Sequence, residues 1–340
     1  MRLIEAVFPN SKRDQVEKAV EDHKPTHARF STTEEDDSSV LRALFVEEGA
    51  QGLVDALQSI CGHEKNWRII VLPVEATAPK PEDKEETDRE KNGARKNVAL
   101  REEIYEDVAD GAELSIDFFL LTFASSIVAA LGLNADNIAA VIGAMVIAPL
   151  LGPILAISLG AALGDMKLLM RAGRNATAGL AVGFTTAALI GLLVGANMES
   201  GELMSRTVAG LDSVVLALAA GVAAALSIVA GISAALVGVM VAVALLPPAA
   251  AAGLFFGAGD FGDFGHSLLL LMINVTCIML AAQAIYIFKG VRPRTWFEKQ
   301  AAARASKINM ISLLALLAVL VAVVLFAPSG SVPGVPVLAD

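Results

Sequence analysis

The chain reads as an α-helical polytopic membrane protein of about seven spanning helices. Six of them form a 3+3 inverted repeat with proline-broken members, and an α+β ferredoxin-like soluble domain precedes them. Three observations predict this class. Of the 340 residues 55% are hydrophobic, and several windows exceed the ~18 apolar residues that mark a spanning helix. Sliding the sequence on itself by 95 residues aligns 117–165 with 212–260 without a gap, with about 19 of the 49 positions identical. That self-similarity signals a duplicated transmembrane unit. Residues 1–75, in contrast, are polar and β-prone, with two helical stretches of amphipathic spacing.

The soluble domain orders as βαββαβ. Leu3 to Phe8 is a strand, Ser11 is placed to cap a helix running to about His23, and Thr26 to Thr32 is again extended. Val16, Ala19 and Val20 share one face of that helix. Glu34 to Asp37 reads as a turn and Val40 to Val46 as a strand. Gly49 to Cys61 carries Leu53, Ala56, Leu57 and Ile60 at helical spacing, and Trp67 to Val74 is the last strand. Ferredoxin-like sandwiches have this order. They serve as ligand sensors or as oligomerisation surfaces, and the residues here do not choose between the two. His23, His27 and His63 lack metal-ligand spacing and read as surface histidines, so no metal or other cofactor is expected. Cys61 and Cys277 fall in different phases, which argues against a disulfide. Residues 76–115 contain APKPEDKEETDREKNGARKN, a Pro-rich, charge-dense linker, and 95–111 continue as an amphipathic helix with a solvated charged face. The net charge of −10 gathers in this first part and in short loops, which excludes nucleic-acid binding through a basic face.

The membrane part is organised around residues 138–165, IAAVIGAMVIAPLLGPILAISLGAALGD. The stretch is long enough to cross a bilayer, yet Pro149 and Pro153 sit near its middle with Gly152 between them. A proline inside a helix removes one backbone hydrogen bond and crowds the preceding turn. Irregular backbone at membrane depth is tolerated only where protein or a wet cavity covers it, so the break is either a packing kink or a functional site. The second copy repeats the feature: Gly143 meets Gly238, Met145 meets Met240, Pro153 meets Pro248, and Pro247 stands opposite Gly152. Gly143, Pro149, Gly152, Pro153, Gly238, Pro247 and Pro248 are therefore candidate substrate- or ion-binding positions. The third segments add Asn175 and Asn274, each within Asn-X-Thr, which correspond once a four-residue insertion is allowed. Their amides either tie helices together or satisfy the broken backbone and a substrate beside it. Asp117 and Asp212 open the first helix of each copy, and Asp165 and Asp260 close the second. At helix ends these carboxylates act as caps or handle ions.

GAMVIAPLLGPILAI, the later ALLPPAAAAGL and a downstream Asn in an apolar helix resemble the membrane core of the family called domain of unknown function 389. The resemblance covers roughly residues 117–288. It implies a hydroxyl residue just before the first proline, where this chain has Ala148, and it brings no settled substrate.

Spanning segments are expected at 116–133, 138–163, 172–196, 211–230, 233–256, 267–288 and 308–326, with repeats at 116–196 and 208–288. A basic loop and a last helix fill 289–327, and a tail fills 328–340. No apolar core of signal-peptide type opens the sequence, so the first spanning helix is expected to direct insertion. Lys167, Arg171 and Arg174 follow the second segment, and Lys289, Arg292, Arg294, Lys299, Arg304 and Lys307 follow the sixth. The other loops and the tail together hold one Arg. Single crossings with a cytoplasmic N-terminal domain place every basic loop inside and the C-terminus outside, in a bacterial cytoplasmic membrane. Three crossings per copy force opposite orientations. Re-entrant hairpins at the prolines would make the copies parallel and would put Lys167 to Arg174 outside.

Gly179, Gly183, Gly191 and Gly195 stand four and eight apart and permit close helix approach, which together with the soluble domain suggests a homo-oligomer, dimer or trimer. Gly257-Ala258-Gly259-Asp260 matches the G-x-G-D element of intramembrane aspartyl proteases. The second aspartate after a Tyr that such a site needs is missing, because neither Tyr105 nor Tyr286 precedes an Asp. With no HExxH, GxSxG or Walker loop, no enzyme is expected. The leading expectation is a secondary transporter of a cation or small polar solute, next a channel, and third a membrane-anchored sensor whose N-terminal domain does the work and binds a ligand.

Overall fold

Short alternating strands and two amphipathic helices assemble at the N-terminus because each strand has one apolar edge row to bury. In the computed structural model, which describes residues 1–33, 37–45, 49–62, 64, 66–74, 100–231, 234–291 and 296–326, the chain divides into units Met1–Ile104 and Tyr105–Asp340. His63, the turn at 34–36, linker residues 75–99 and the tail lie outside the described residues. So do the side chains at 234–243, and with them the surroundings of Gly238.

In the first unit β1 (Arg2–Pro9), α1 (Arg13–His23), β2 (His27–Thr33), β3 (Ser38–Phe45), α2 (Ala50–Cys61) and β4 (Arg68–Pro73) follow the expected βαββαβ order. The sheet order is β2-β3-β1-β4, every pair antiparallel, with Ile4 opposite both Ala43 and Val71. Ile4, Ala6 and Phe8 point to one face, where Val16, Val20, Leu53, Val54 and Leu57 close the core. Ser11 does not cap α1. It falls in a 3-10 turn at Asn10–Lys12, and Lys12 occupies the cap position. His23 is held rather than free, its Nδ1 2.8 Å from the Ala19 carbonyl and its ring against Gly52.

The second unit opens within α3 (Arg101–Asp110), followed by α4 (Ile116–Asn134), α5 (Ile138–Ile147), α6 (Leu151–Leu163), α7 (Met166–Val194), the short α8 (Gly201–Met204), α9 (Leu211–Val229), α10 (Ala234–Ala258), α11 (Phe261–Phe288) and α12 (Trp296–Phe326). Among the described residues five helices are long and apolar enough to cross a membrane, six if the α5–α6 pair counts as one. This is an integral membrane protein. Helices α7 and α11 begin about one and a half turns before the apolar stretches that announce them, because Asp165 and Asp260 cap them. Hydropathy sees only the apolar part of a helix, and a cap sees its first amide.

Small residues set the packing. A Cβ on Gly253 would press on Phe184 and Ala187, one on Gly257 would overlap the Ala188 carbonyl, and one on Gly191 the Leu254 carbonyl. Helices α7 and α10 therefore run side by side in the same direction at backbone contact. Gly179 is filled by Phe118 and Leu150, and Gly183 lies against Ser126. Gly179, Gly183 and Gly191 are thus used inside the chain, while Gly195 faces open space. Gly221 brings α9 onto Ile278 of α11, α11 also packs on α6 and α12, and only 6% of the apolar window of α12 is buried.

Candidate functional site

The two proline elements align in sequence and differ in shape in space. The first breaks: α5 and α6 are separated at 148–150 and bent by 52°. The second does not break, since α10 runs from Ala234 to Ala258 with Pro247 and Pro248 inside it. The expectation of paired breaks is corrected here, and the reason lies in one side chain. Pro248 has no N–H for the carbonyl four residues back, that of Ala244. Asn274 Nδ2 of α11 donates to that carbonyl at 2.8 Å, replacing the missing bond from the neighbouring helix. A freed carbonyl at membrane depth costs about 1–3 kcal/mol when left alone, and the amide removes that cost. Pro247 and Pro248 are buried, as are their chain neighbours Leu245, Leu246 and Ala249 to Ala252.

In the first copy the prolines are placed differently. Pro149 follows the end of α5, whose C-cap Ala148 is already extended. Pro153 is the third residue of α6, where an amide has no intrahelical partner in any case and a proline is tolerated. Between them Gly152 supports a close approach. A Cβ there would overlap the carbonyl of Gly111, in the turn after α3. The next carbonyl, Ala112, accepts from Asn175 Nδ2 of α7 at 2.6 Å. Asn175 is 1% exposed and its Oδ1 has no partner. Two further ties hold this segment: Tyr105 Oη donates to Asp165 Oδ2 at 3.0 Å, and Arg171 Nη2 to Glu113 Oε1 at 2.7 Å. Burial raises the Tyr105 pKa above its ordinary value, and the hydrogen bond and charge of Asp165 add to that. Residues 105–113 thus form a strap across the break of the first copy. Nothing in hydropathy announces it. Its only signals are a lone Tyr among acidic residues and the small pair Gly111-Ala112.

The four aspartates sit at helix starts. Asp165 Oδ1 accepts from the Lys167 and Leu168 amides, both at 3.0 Å, and Asp260 Oδ1 from those of Gly262 and Asp263, both at 3.1 Å. They open the third helix of each copy rather than close the second. The glycines before them, Gly164 and Gly259, take φ of 69° and 84°, the left-handed turn that lets one helix end and the next begin. Asp117 and Asp212 are exposed in the first turns of α4 and α9, where a carboxylate favours the helix dipole. Gly143 faces open space. The hydroxyls of Thr177 and Thr276 both turn back to their own helices, at Gly173 and Met272. One buried polar cluster escapes the sequence reading: Asn309 Nδ2 donates to Gln283 Oε1 at 2.7 Å, and Gln283 Nε2 to Ser306 Oγ at 3.1 Å. A Gln and an Asn within apolar helices are its signal. Cys61 and Cys277 are both buried free thiols. Among the described residues no three of His, Cys, Asp or Glu gather as a metal ion would need.

The direction of the elements follows from contacts at the ends of α7. Near its start lie Asp165, Tyr105 and Glu113. Near its finish Asn134 Oδ1 accepts from the Asn197 amide at 2.6 Å, and Gly257, three residues before Asp260, packs on Ala188. The two capping aspartates therefore lie towards opposite ends of one helix. Helix α7 packs on α10 of the other copy, and α11 on α6, a reciprocal exchange. Residues 145–280, from the end of α5 to the middle of α11, match the family described as Domain of unknown function (DUF389). An uncharacterised protein of Methanocaldococcus jannaschii is 34% identical over 266 residues, 78% of this chain and 81% of that protein. The chain belongs to the DUF389 family. Both proline elements and both asparagines fall inside the matched DUF389 region, and the strap falls before it. No solved structure matches the chain.

Proposed function

We propose that this DUF389 protein is a membrane transport protein, a secondary transporter of a cation or small polar solute whose path follows the two proline-bearing helices. The observation that carries the reading is one duplicated element held in two conformations, bent by 52° in α5–α6 and continuous in α10. Transporters built from inverted repeats use such asymmetry, because exchanging the two conformations exchanges the side that is open. Asp165 and Asp260 at opposite ends of α7, and the reciprocal packing of α7 on α10 and α11 on α6, fit a 3+3 inverted repeat in which α5–α6 is one bent crossing of seven. No Lys or Arg occurs from Asn175 to Ser205, or from Thr207 to Phe288, so carbonyls and amides are the groups offered to a solute. That supply suits cations and neutral polar molecules better than anions. The reading includes a cytoplasmic N-terminal unit, an outside C-terminus, assembly as a dimer or trimer, and no catalysis.

Flux into reconstituted vesicles tests it, with sodium, rubidium and methylammonium tracers and with urea as the neutral probe. Uptake above that of empty vesicles should saturate and should disappear in the Pro153→Ala/Pro248→Ala double variant, which still inserts. Unsaturable flux driven only by the tracer's own gradient favours a channel. A double variant as active as its parent sinks the site, and absence of flux for every probe class leaves the sensor reading standing in its place, where Ile70 and Leu72 on the outer face of β4 (37% and 46% exposed) offer the partner surface.

A further inference from the structure

The two corresponding asparagines use the same amide on different carbonyls. Asn274 serves Ala244, the carbonyl that Pro248 deprives. Ala244 aligns with Pro149, and Pro248 with Pro153, so the equivalent partner of Asn175 is the Pro149 carbonyl, four residues before Pro153. Asn175 instead serves Ala112 of the strap. The strap takes the donor that the second copy uses to hold its helix continuous, and the helix deprived of it is the one that is bent. Gly152 agrees with this. It stands where the second copy has Pro247, and it is the position at which any side chain would collide with the Gly111 carbonyl.

We propose that residues 105–113 are a conformational latch: while Ala112 holds the Asn175 amide, α5–α6 stays bent, and when the strap leaves, Asn175 turns to the Pro149 carbonyl and α5–α6 becomes continuous like α10. The unpartnered Oδ1 of Asn175 leaves the latched state imperfectly satisfied. Tyr105 with Asp165 and Glu113 with Arg171 are the ties that must open. Helix α3, which carries Tyr105, is the covalent route by which the chain enters the membrane unit, so anything acting on α3 acts on the latch. The inference rests on the repeat alignment and not on transport, and its test measures no flux.

The test uses the full chain in detergent, with Cys61→Ser and Cys277→Ala, and Ala112→Cys as the reporter. Ala112 is 1% exposed, so maleimide labelling of the latched protein should be slow. Gly152→Pro gives the first copy the Leu-Leu-Pro-Pro of the second, a sequence that α10 already holds in a helix, and should raise the labelling rate at least tenfold. Tyr105→Phe with Glu113→Gln, which leaves the break untouched, should raise it as well, so a Gly152→Pro variant that fails to fold does not stall the test. Spin labels at the exposed Ile138 and Met166 then read the helix. Straightening a 52° bend between helices of about 15 and 20 Å lengthens the span by roughly 3 Å at 1.5 Å rise per residue. Labelling that stays slow in both variants overturns the latch. Fast labelling with an unchanged spin-label distance overturns the switch and leaves the strap as packing.

Discussion

Replacing Asn274 by Ala removes one donor, and the structure says what that donor does. Its Nδ2 lies 2.8 Å from the Ala244 carbonyl, and Asn274 is 7% exposed. The loss is a cross-helix hydrogen bond plus an orphaned carbonyl. Averages within membranes are about 0.6 kcal/mol for such a bond, up to ~1.7, and a buried orphan costs about 1–3 kcal/mol. We expect about 1–2 kcal/mol for Asn274→Ala. If the amide substitutes for the missing proline N–H, Pro248→Ala should make it redundant, because an alanine there donates to Ala244 itself. In the Pro248→Ala background Asn274→Ala should then cost less than about 0.5 kcal/mol, a coupling of roughly 1 kcal/mol, above the ~0.3–0.5 kcal/mol within which independent sites add. Reversible unfolding of the four proteins in mixed micelles, followed by near-ultraviolet circular dichroism, measures the cycle. Additive costs would refute the argument that Asn274 replaces the proline's donor. The mate gives an internal contrast. Asn175→Ala loses one bond but also removes an unpartnered buried oxygen, so its cost should be smaller than that of Asn274→Ala.

Reporter fusions after Asn134 and Asn197 should report outside and a fusion after Lys167 inside, and an inside signal at Asn197 contradicts the crossing of α7. Tyrosinate absorbance, taken as the difference between parent and Tyr105→Phe, should titrate above the ordinary value of about 10 and move down in Asp165→Asn. Because the raised pKa belongs to the protonated phenol, the tie to Asp165 is whole at neutral pH and is lost as pH climbs through that raised pKa; an unmoved midpoint in Asp165→Asn shows the tie is not made. Asp260→Ala should cost about 0.5–2 kcal/mol of stability through its two capped amides, and Asp260→Ser much less; equal losses point to a role other than capping. Gly257→Val, forced onto the Ala188 carbonyl, should prevent folding while Gly143→Val, facing open space, is tolerated, as protease resistance in detergent will show.

Much of the architecture is legible before any coordinates. Alternation in β1 places Ile4, Ala6 and Phe8 on one face, as period-two patterning requires, and the sandwich order follows. The recurrence of Gly164-Asp165 and Gly259-Asp260 95 residues apart is legible too, but not that each aspartate starts the next helix, which only the left-handed glycine and the cap reveal. Helix starts are harder to read, since the apolar run of α7 begins after its charged first turns. Gly179, Gly183 and Gly191 on α7 announce close contact but not their partners, which are Phe118 and Leu150, Ser126, and Leu254 of the same chain.

Local chemistry alone determines that a proline deprives a carbonyl, that a glycine admits a backbone, and that an aspartate after a left-handed glycine starts a helix. The sequence therefore determined by itself that two related segments each carry a deprived carbonyl and that each is followed by an asparagine able to serve one. It could not determine which carbonyl each asparagine serves. Asn175 and Asn274 stand in equivalent places. What separates them is whether a strap carbonyl 63 residues earlier or a helix of their own copy lies within about 3 Å of the amide. A hydrogen bond between distant residues leaves no period and no composition behind it. Only the tertiary structure decides it, and with it which of the two proline helices bends.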